Sequence, residues 1–132
     1  MSRILVTGGC GFIGSHICIT LLEQNHELIV FDNFSNSSPL AIERVLNIAK
    51  VSNVNTKNKI ELIKGDIRNL LNIEDVFRKY FEQNKPIDSV LHFAGVKSVK
   101  DSVLNPIEYW GINVIGTHNL LTVMDKYDCR NL

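Results

Sequence analysis

Thr7-Gly8-Gly9-Cys10-Gly11-Phe12-Ile13-Gly14 gathers four of the chain's eight glycines into one short stretch. Both Gly9-x-Gly11-x-x-Gly14 and Gly8-x-x-Gly11-x-x-Gly14 can be read in it. A lone match of either kind is weak, so the flanking sequence decides. Before it stands Ile4-Leu5-Val6, a continuous apolar run of the kind carried by a strand covered on both faces. After it, Phe12 to Gln24 sets Ile13, Ile17, Leu21 and Leu22 at helical spacing. Strand, turn and helix in that order are the setting in which such a loop holds a phosphate. The first glycine allows the tight turn, the middle one lets a pyrophosphate reach the backbone, and the last lets the helix pack closely. The N–H groups and dipole of the helix start then face the anion.

The same alternation continues outward. Arg3 to Thr7 is the first predicted strand, Glu27 to Phe31 the second, Lys59 to Lys64 the third and Ser89 to Phe93 the fourth. Between and after them, helices are predicted from Ser38-Pro39 to about Ala49, from Asn72 as cap to about Gln83, and from Asn105-Pro106 to about Lys126. Ser38 and Pro39 suit an N-cap and a first helical position, and Glu108 follows Asn105 at capping-box spacing. Val51 to Lys59, rich in Asn, Ser, Thr and Lys, reads as a loop. The order βαβαβαβα predicts an α/β, doubly wound parallel sheet of the Rossmann type, with about four strands and four helices. The natural strand order is 3-2-1-4, with the switch point between strands 1 and 4. The sheet is expected to be incomplete: Asn131-Leu132 looks like the start of a fifth strand. Strand 4 is then expected to be an unpaired edge, and these residues alone to be marginally stable.

Composition bounds the rest. The 132 residues suffice for one domain or part of one, and 45% hydrophobic with 21% charged residues excludes wholesale disorder. Lys plus Arg and Asp plus Glu are each 14, so the net charge is zero. Neither nucleic acid nor an anionic membrane is an expected partner. No apolar run approaches the roughly 18 residues of a membrane span, and Ile4-Leu5-Val6 is too short for a signal-peptide core. A cytoplasmic location is expected. Cys10, Cys18 and Cys129 are odd in number and lack CxxC spacing, so neither a disulfide framework nor a metal site is expected. Cys10 reads as a passive small residue, although a helix start can lower a thiol's pKa.

Residues just after each strand are the site candidates, because ligands of such sheets bind beyond the carboxyl ends of the strands. Asp32 ends the second strand, 18 residues after Gly14. A carboxylate there can accept hydrogen bonds from both adenosine ribose hydroxyls and would repel a 2′-phosphate, which favours NAD over NADP. Asp66 after the third strand and Ala94-Gly95 after the fourth lie on the same edge, though a loop Asp or Gly is usually a turn former.

Taken together, Thr7 to His16, Asp32-Asn33 with Asn36-Ser37, Gly65-Asp66-Ile67-Arg68, His92-Phe93-Ala94-Gly95-Val96-Lys97 with Ser102, and Asn113 before Gly116-Thr117 resemble the extended short-chain dehydrogenase/reductase superfamily. Within it they resemble most closely the N-terminal portion of the UDP-glucose 4-epimerase family. The resemblance covers the whole chain, and the segment from His92 to Lys97 is its most discriminating part. It implies NAD as cofactor. It also implies roles: Phe12 and Ile13, with Gly8, Gly11 and Gly14, at the pyrophosphate; Asp32, Asn33, Asn36 and Ser37 at the adenosine ribose; Asp66 and Ile67 at the adenine. Phe93, Ala94, Gly95 and Lys97 would lie along the nicotinamide half, and Asn113 would reach the cofactor. Cys10 stands where the family often has Ser or Ala. Lys100-Asp101 replaces a usual Gly-Glu, which bears on loop shape near the substrate.

The family interconverts UDP-glucose and UDP-galactose by transient oxidation at C4, using the tyrosine of a Tyr-x-x-x-Lys motif as base. Here Tyr80, Tyr109 and Tyr127 are each followed four residues later by Asn84, Asn113 and Asn131. No catalytic residue is therefore expected among residues 1–132, which should by themselves bind NAD without turnover. The resemblance further implies a UDP-hexose substrate and a homodimer paired partly through the last helix. Two alternatives stay open: a sibling sugar-nucleotide dehydratase or reductase, and a non-catalytic NAD-binding module. An S-adenosylmethionine or mononucleotide site is disfavoured by the glycine triplet and Asp32 together.

Overall fold

The computed structural model describes residues 1–52, 55–57 and 59–132. The loop predicted over Val51 to Lys59 therefore lies, at Asn53, Val54 and Asn58, outside the described residues. Four parallel strands, β1 (Arg3–Thr7), β2 (Glu27–Asp32), β3 (Ile60–Lys64) and β4 (Ser89–His92), form one sheet in the order β3-β2-β1-β4. β1 is central, with Val6 level with Val30 on one side and Leu91 on the other. Helices α1 (Phe12–Glu23) and α2 (Leu40–Val51) cover one face, where Ile4, Val6, Leu28 and Val30 meet Cys18, Leu22, Ile42 and Val45. On the other face Leu5, Ile29, Phe31 and Val90 meet Ile73, Val76 and Phe77 of α3 (Leu70–Glu82) and Leu120, Val123 and Met124 of α6 (Gly116–Lys126). β1 and β2 are buried on both sides because their central residues, Ile4 to Val6 and Leu28 to Phe31, are apolar without interruption.

Three expectations need correction. α3 is capped by Asn69, whose side chain accepts from the Leu71 and Asn72 N–H groups. Asn72 lies one turn inside, and its amide oxygen accepts from the Asp66 N–H at 3.2 Å. The segment predicted as one helix from Asn105 to Lys126 is interrupted: α5 (Pro106–Trp110) passes through a π turn at Gly111–Ile115 into α6. Asn105 makes no side-chain cap bond, so the capping box does not form. A separate α4 (Val99–Leu104), capped by the Ser98 side chain, precedes it, so the helices exceed the four predicted.

The outer edge of β4 is partly met by the chain itself. The Val90 N–H donates to the Asn131 carbonyl at 2.9 Å, and the Asn131 amide donates to the Asp88 carbonyl at 3.1 Å. The edge expected to be unpaired is thus engaged at one position. Cys10, Cys18 and Cys129 are buried free thiols. Among the described residues, no helix is long and apolar enough to cross a membrane.

Candidate functional site

A cleft opens at the carboxyl ends of the strands, between the turn after β1 and the segment after β4. This is the switch point, where the connections from β1 and β4 leave to opposite faces of the sheet. Of the sixteen residues singled out from the sequence, fourteen line it: Gly8, Gly11, Phe12, Ile13, Gly14, Asp32, Asn33, Asn36, Asp66, Ile67, Phe93, Ala94, Gly95 and Lys97. Ser37 and Asn113 do not; each reaches the cleft through another residue. Phe31, Ser35, Gly65, Val96 and Ile112 complete the wall.

Gly8 has φ of +68°, and a Cβ there would stand 2.6 Å from the Ala94 nitrogen. The position therefore demands glycine on two counts, conformation and space. At Gly14 a Cβ would run into the Gly8 carbonyl and the Gly9 Cα, so the helix packs on the turn itself. Gly11 is the N-cap of α1 and no side chain caps it. The first N–H groups of α1 are thus left to whatever enters the cleft. The Cys10 thiol takes no part: burial, and secondarily the nearby Asp32, push its pKa up to about 12.

Asp32 is 7% exposed. Its Oδ2 accepts from the Cys10 N–H at 3.0 Å, and its Oδ1 accepts from the Phe34 N–H at 2.9 Å and the Ser37 hydroxyl at 2.8 Å. Ser37 is therefore a buttress of Asp32. The Asp32–Phe34 bond closes a turn that holds Phe34 at φ +59°, a strained value for a bulky residue. Among the described residues Asp32 has no cation within salt-bridge distance. With three donors on roughly four acceptor positions, the carboxylate keeps room for about one further donor, such as one hydroxyl of a diol.

Asp66 is satisfied differently. Its Oδ1 accepts from Arg68 Nε at 3.0 Å, and its Oδ2 accepts from Arg68 Nη2 at 2.7 Å and Asn33 Nδ2 at 3.1 Å. The Arg68 guanidinium holds its carboxyl well below the usual carboxylate range. The next turn is tied down by Asn119 of α6, whose amide donates to the Ile67 and Arg68 carbonyls.

At the β4 end a chain of neutral groups crosses the sheet. The Thr117 hydroxyl donates its one proton to the Asn113 carbonyl at 2.7 Å. Its oxygen, 3.0 Å from His92 Nε2, can then only accept from an Nε2–H. His92 Nδ1 is left as an acceptor for the Thr7 hydroxyl at 2.6 Å, and the Thr7 oxygen accepts from the Ala94 N–H at 3.3 Å. One neutral tautomer of His92 satisfies every member. Burial holds its pKa below the ordinary histidine value. Beyond His92, the Asn113 amide grips the backbone of Val96. Lys97 is exposed at the rim.

Arg68, His92, Thr7 and Thr117 are the residues that sequence reasoning left without a role. Arg68 and His92 stood inside motifs quoted for other reasons; Thr7 and Thr117 carried no separate signal. The tyrosines bring no base to the cleft. Tyr80 lies at the opposite end of the sheet, hydrogen-bonded to Glu61, and burial raises its pKa far above the ordinary phenol. The arrangement can hold an anion on the glycine turn, a diol at Asp32 and a planar ring between Asp66 and Ile67.

Comparison with known proteins supplies the context. The family model described as GDP-mannose 4,6 dehydratase matches residues 5–132. The chain is 42% identical over 130 residues to the bifunctional UDP-glucose 4-epimerase and UDP-xylose 4-epimerase 1 of Pisum sativum, covering 98% of this chain and 35% of that protein. It is 42% identical over 117 residues to a UDP-glucose 4-epimerase of Neisseria meningitidis serogroup B, covering 89% and 31%. Among solved structures it resembles the UDP-glucose 4-epimerase of Bifidobacterium longum in complex with NAD+ and UDP. There the TM-score is 0.83 and the identity 42%, over 98% of this chain and 35% of that one. The enzyme of Stenotrophomonas maltophila, with bound NAD and formylated UDP-arabinopyranose, gives a TM-score of 0.84 at 32% identity, with the same coverage. The chain spans about a third of the length of these relatives.

Proposed function

The chain belongs to the GDP-mannose 4,6 dehydratase family, and we propose that it forms the front part of the NAD-binding domain of a UDP-glucose 4-epimerase. The observation that carries this reading is the Asp32 carboxylate beside the uncapped start of α1. It is buried, held by three donors, free of a cation and turned to the same cleft as the glycine turn. These features suit an adenosine ribose diol followed by a pyrophosphate. The fit extends to the wall, since Gly8 leaves the Ala94 backbone close against the turn.

On this reading Gly8, Gly11, Phe12, Ile13 and Gly14 meet the pyrophosphate through backbone N–H groups. Asp32, Asn33 and Asn36 meet the adenosine ribose, with Ser37 steadying Asp32. Asp66 and Ile67 flank the adenine. Phe93, Ala94, Gly95 and Lys97 line the nicotinamide half, and Lys97 adds positive charge near the phosphates. When bound, NAD+ supplies a hydride acceptor for C4 of a UDP-hexose. The chain's own residues bind and orient that cofactor; a base to take the 4-hydroxyl proton is not among residues 1–132. The same reading has a second copy as partner, pairing through α5, the π turn and α6, where Ile107, Trp110, Val114 and Leu121 are exposed.

Calorimetric titration of the full-length protein with NAD and with NADP tests the cofactor. NAD binding with NADP at least about tenfold weaker is expected, because a 2′-phosphate would stand against an unneutralised carboxylate. Equal affinity, or preference for NADP, overturns the assignment of Asp32. UDP-galactose turnover by the full-length protein tests the epimerase. The description of the family model favours a sugar-nucleotide 4,6-dehydratase as second reading; release of a 4-keto-6-deoxy sugar would establish it instead.

A further inference from the structure

We infer that Arg68 governs how the purine of the bound dinucleotide is read, by filling the carboxylate that would otherwise select adenine. The inference rests on the NAD-binding reading of the cleft and deepens it at the β3 end. An ionised carboxylate offers about four acceptor positions and no donor. At Asp66 these positions are taken. Its Oδ1 accepts from the Arg68 backbone N–H at 2.9 Å and from Arg68 Nε at 3.0 Å. Its Oδ2 accepts from Arg68 Nη2 at 2.7 Å and from Asn33 Nδ2 at 3.1 Å. Three of these donors belong to one residue. The guanidinium among them offsets the negative charge as well as using the lone pairs. Asp32, with three uncharged donors and room for another, is the opposite case.

Purines differ at the position such a carboxylate would meet. Adenine carries an amine there, a donor; hypoxanthine and guanine carry a carbonyl oxygen, an acceptor. An open carboxylate rewards the amine and repels the oxygen, whereas a filled and neutralised one does neither. The free polar group at this end is a donor instead. Ile67 lines the cleft, and among the described residues its N–H has no acceptor. That N–H can meet a ring nitrogen of adenine or the carbonyl oxygen of hypoxanthine. The loop is held so that the fork stays closed. The Asp66 N–H donates to Asn72, and the Asn119 amide holds the Ile67 and Arg68 carbonyls. The Ile67 side chain is pinned over Gly116, where a Cβ would stand 2.6 Å from its Cδ1.

Calorimetric titration of the full-length protein with NAD and with nicotinamide hypoxanthine dinucleotide, in which a carbonyl replaces the amine, reads the selectivity. The two are expected to bind within about threefold of each other. Arg68→Ala removes the Nε and Nη2 donors and the positive charge, which opens Asp66 to the amine. That variant should prefer NAD by about tenfold or more, the worth of a hydrogen bond to a charged acceptor. A merely structural role for Arg68 would lower both affinities alike; an unchanged ratio therefore overturns the inference. Arg68→Lys keeps a cation without the planar fork, and its ratio should lie between those of the other two proteins. This variant carries the test if Arg68→Ala does not fold, and no rise in its ratio counts against the inference in the same way. If the unaltered protein already prefers NAD by about tenfold or more, Asp66 reads the amine past Arg68, and the inference falls while the cofactor reading stands. If neither dinucleotide binds, both fall.

Discussion

At the β2 and β3 end of the cleft carboxylates carry the hydrogen bonds; at the β4 end the hydrogen-bonded chain is neutral and Lys97 stands apart at the rim. Asp32 and Asp66 end neighbouring strands, yet their carboxyl oxygens are met by different partners. Asp32 takes two backbone N–H groups and a hydroxyl, while Asp66 takes a fork from Arg68. At the β4 end Thr7, His92, Thr117 and Asn113 pass hydrogen bonds between uncharged partners. A buried negative charge held by amides keeps its field for a ligand, because no cation cancels it. A charge paired with guanidinium mostly shapes its own loop. The neutral chain adds no field and sets distance only. One cleft thereby separates recognition, loop shape and spacing among three kinds of hydrogen-bond partner.

The contrast breaks most visibly at Asp32. Asp32→Ala removes an acceptor from three donors, two of them backbone N–H groups, and should cost about 2 kcal/mol in urea unfolding. NAD binding should fall at least about a hundredfold by calorimetry. An affinity within threefold of the unaltered protein would show that Asp32 shapes the loop only. Arg68→Ala tests the other carboxylate. Asp66 has a folded pKa below its ordinary value, so its contribution is present above about pH 4 and is lost as pH falls through the folded value. Arg68→Ala should flatten that acid limb, with a loss at neutral pH of under about 1 kcal/mol because the pair is partly exposed. An unchanged acid limb would mean that Asp66 owes its ionisation to Asn33 and the backbone.

The smallest effect belongs to the neutral end. His92 is held below its ordinary pKa by burial, so its contribution is complete above about pH 6.5 and declines as pH falls toward the folded value. The urea midpoint of the unaltered protein should drop between pH 7.5 and pH 5.5, and His92→Gln should remove that drop. A midpoint flat across this range would mean that the imidazolium is tolerated and the chain of neutral bonds is dispensable.

The strand order and the cleft were legible because their signals are local. Ile4-Leu5-Val6 and Leu28-Ile29-Val30-Phe31 announce strands buried on both faces, and the glycine spacing brings its own mechanism. Ser38-Pro39 marked the α2 start to within one residue: Pro39 and not Ser38 is the N-cap and the helix begins at Leu40, whose N–H donates to the Ser38 hydroxyl at 3.3 Å. What stayed hidden depends on partners far along the chain. Asn69 and Asn72 are equally good caps in isolation, and the choice falls to Asn69 because Asn72 is taken by the Asp66 N–H. α4 has no buried residue, so it leaves no apolar period to read. The π turn carries no composition of its own. Asn113 was legible as a residue of the site, but its grip on Val96 needs the fold.

Thr7 and His92 are 85 residues apart, whereas β1 and β2 are joined across 24. The β1–α1–β2 unit with its glycine turn can therefore assemble early, and the β1–β4 seam closes the largest loop in the sheet. Chain synthesis runs in the same direction, so Ala94 reaches Gly8 only after the other strands have met. A ligand that contacts both the glycine turn and the segment after β4 favours the closed seam and draws the equilibrium toward it by mass action. On the proposed reading, bound nucleotide would thus add to the stability of the closed sheet as well as occupy it.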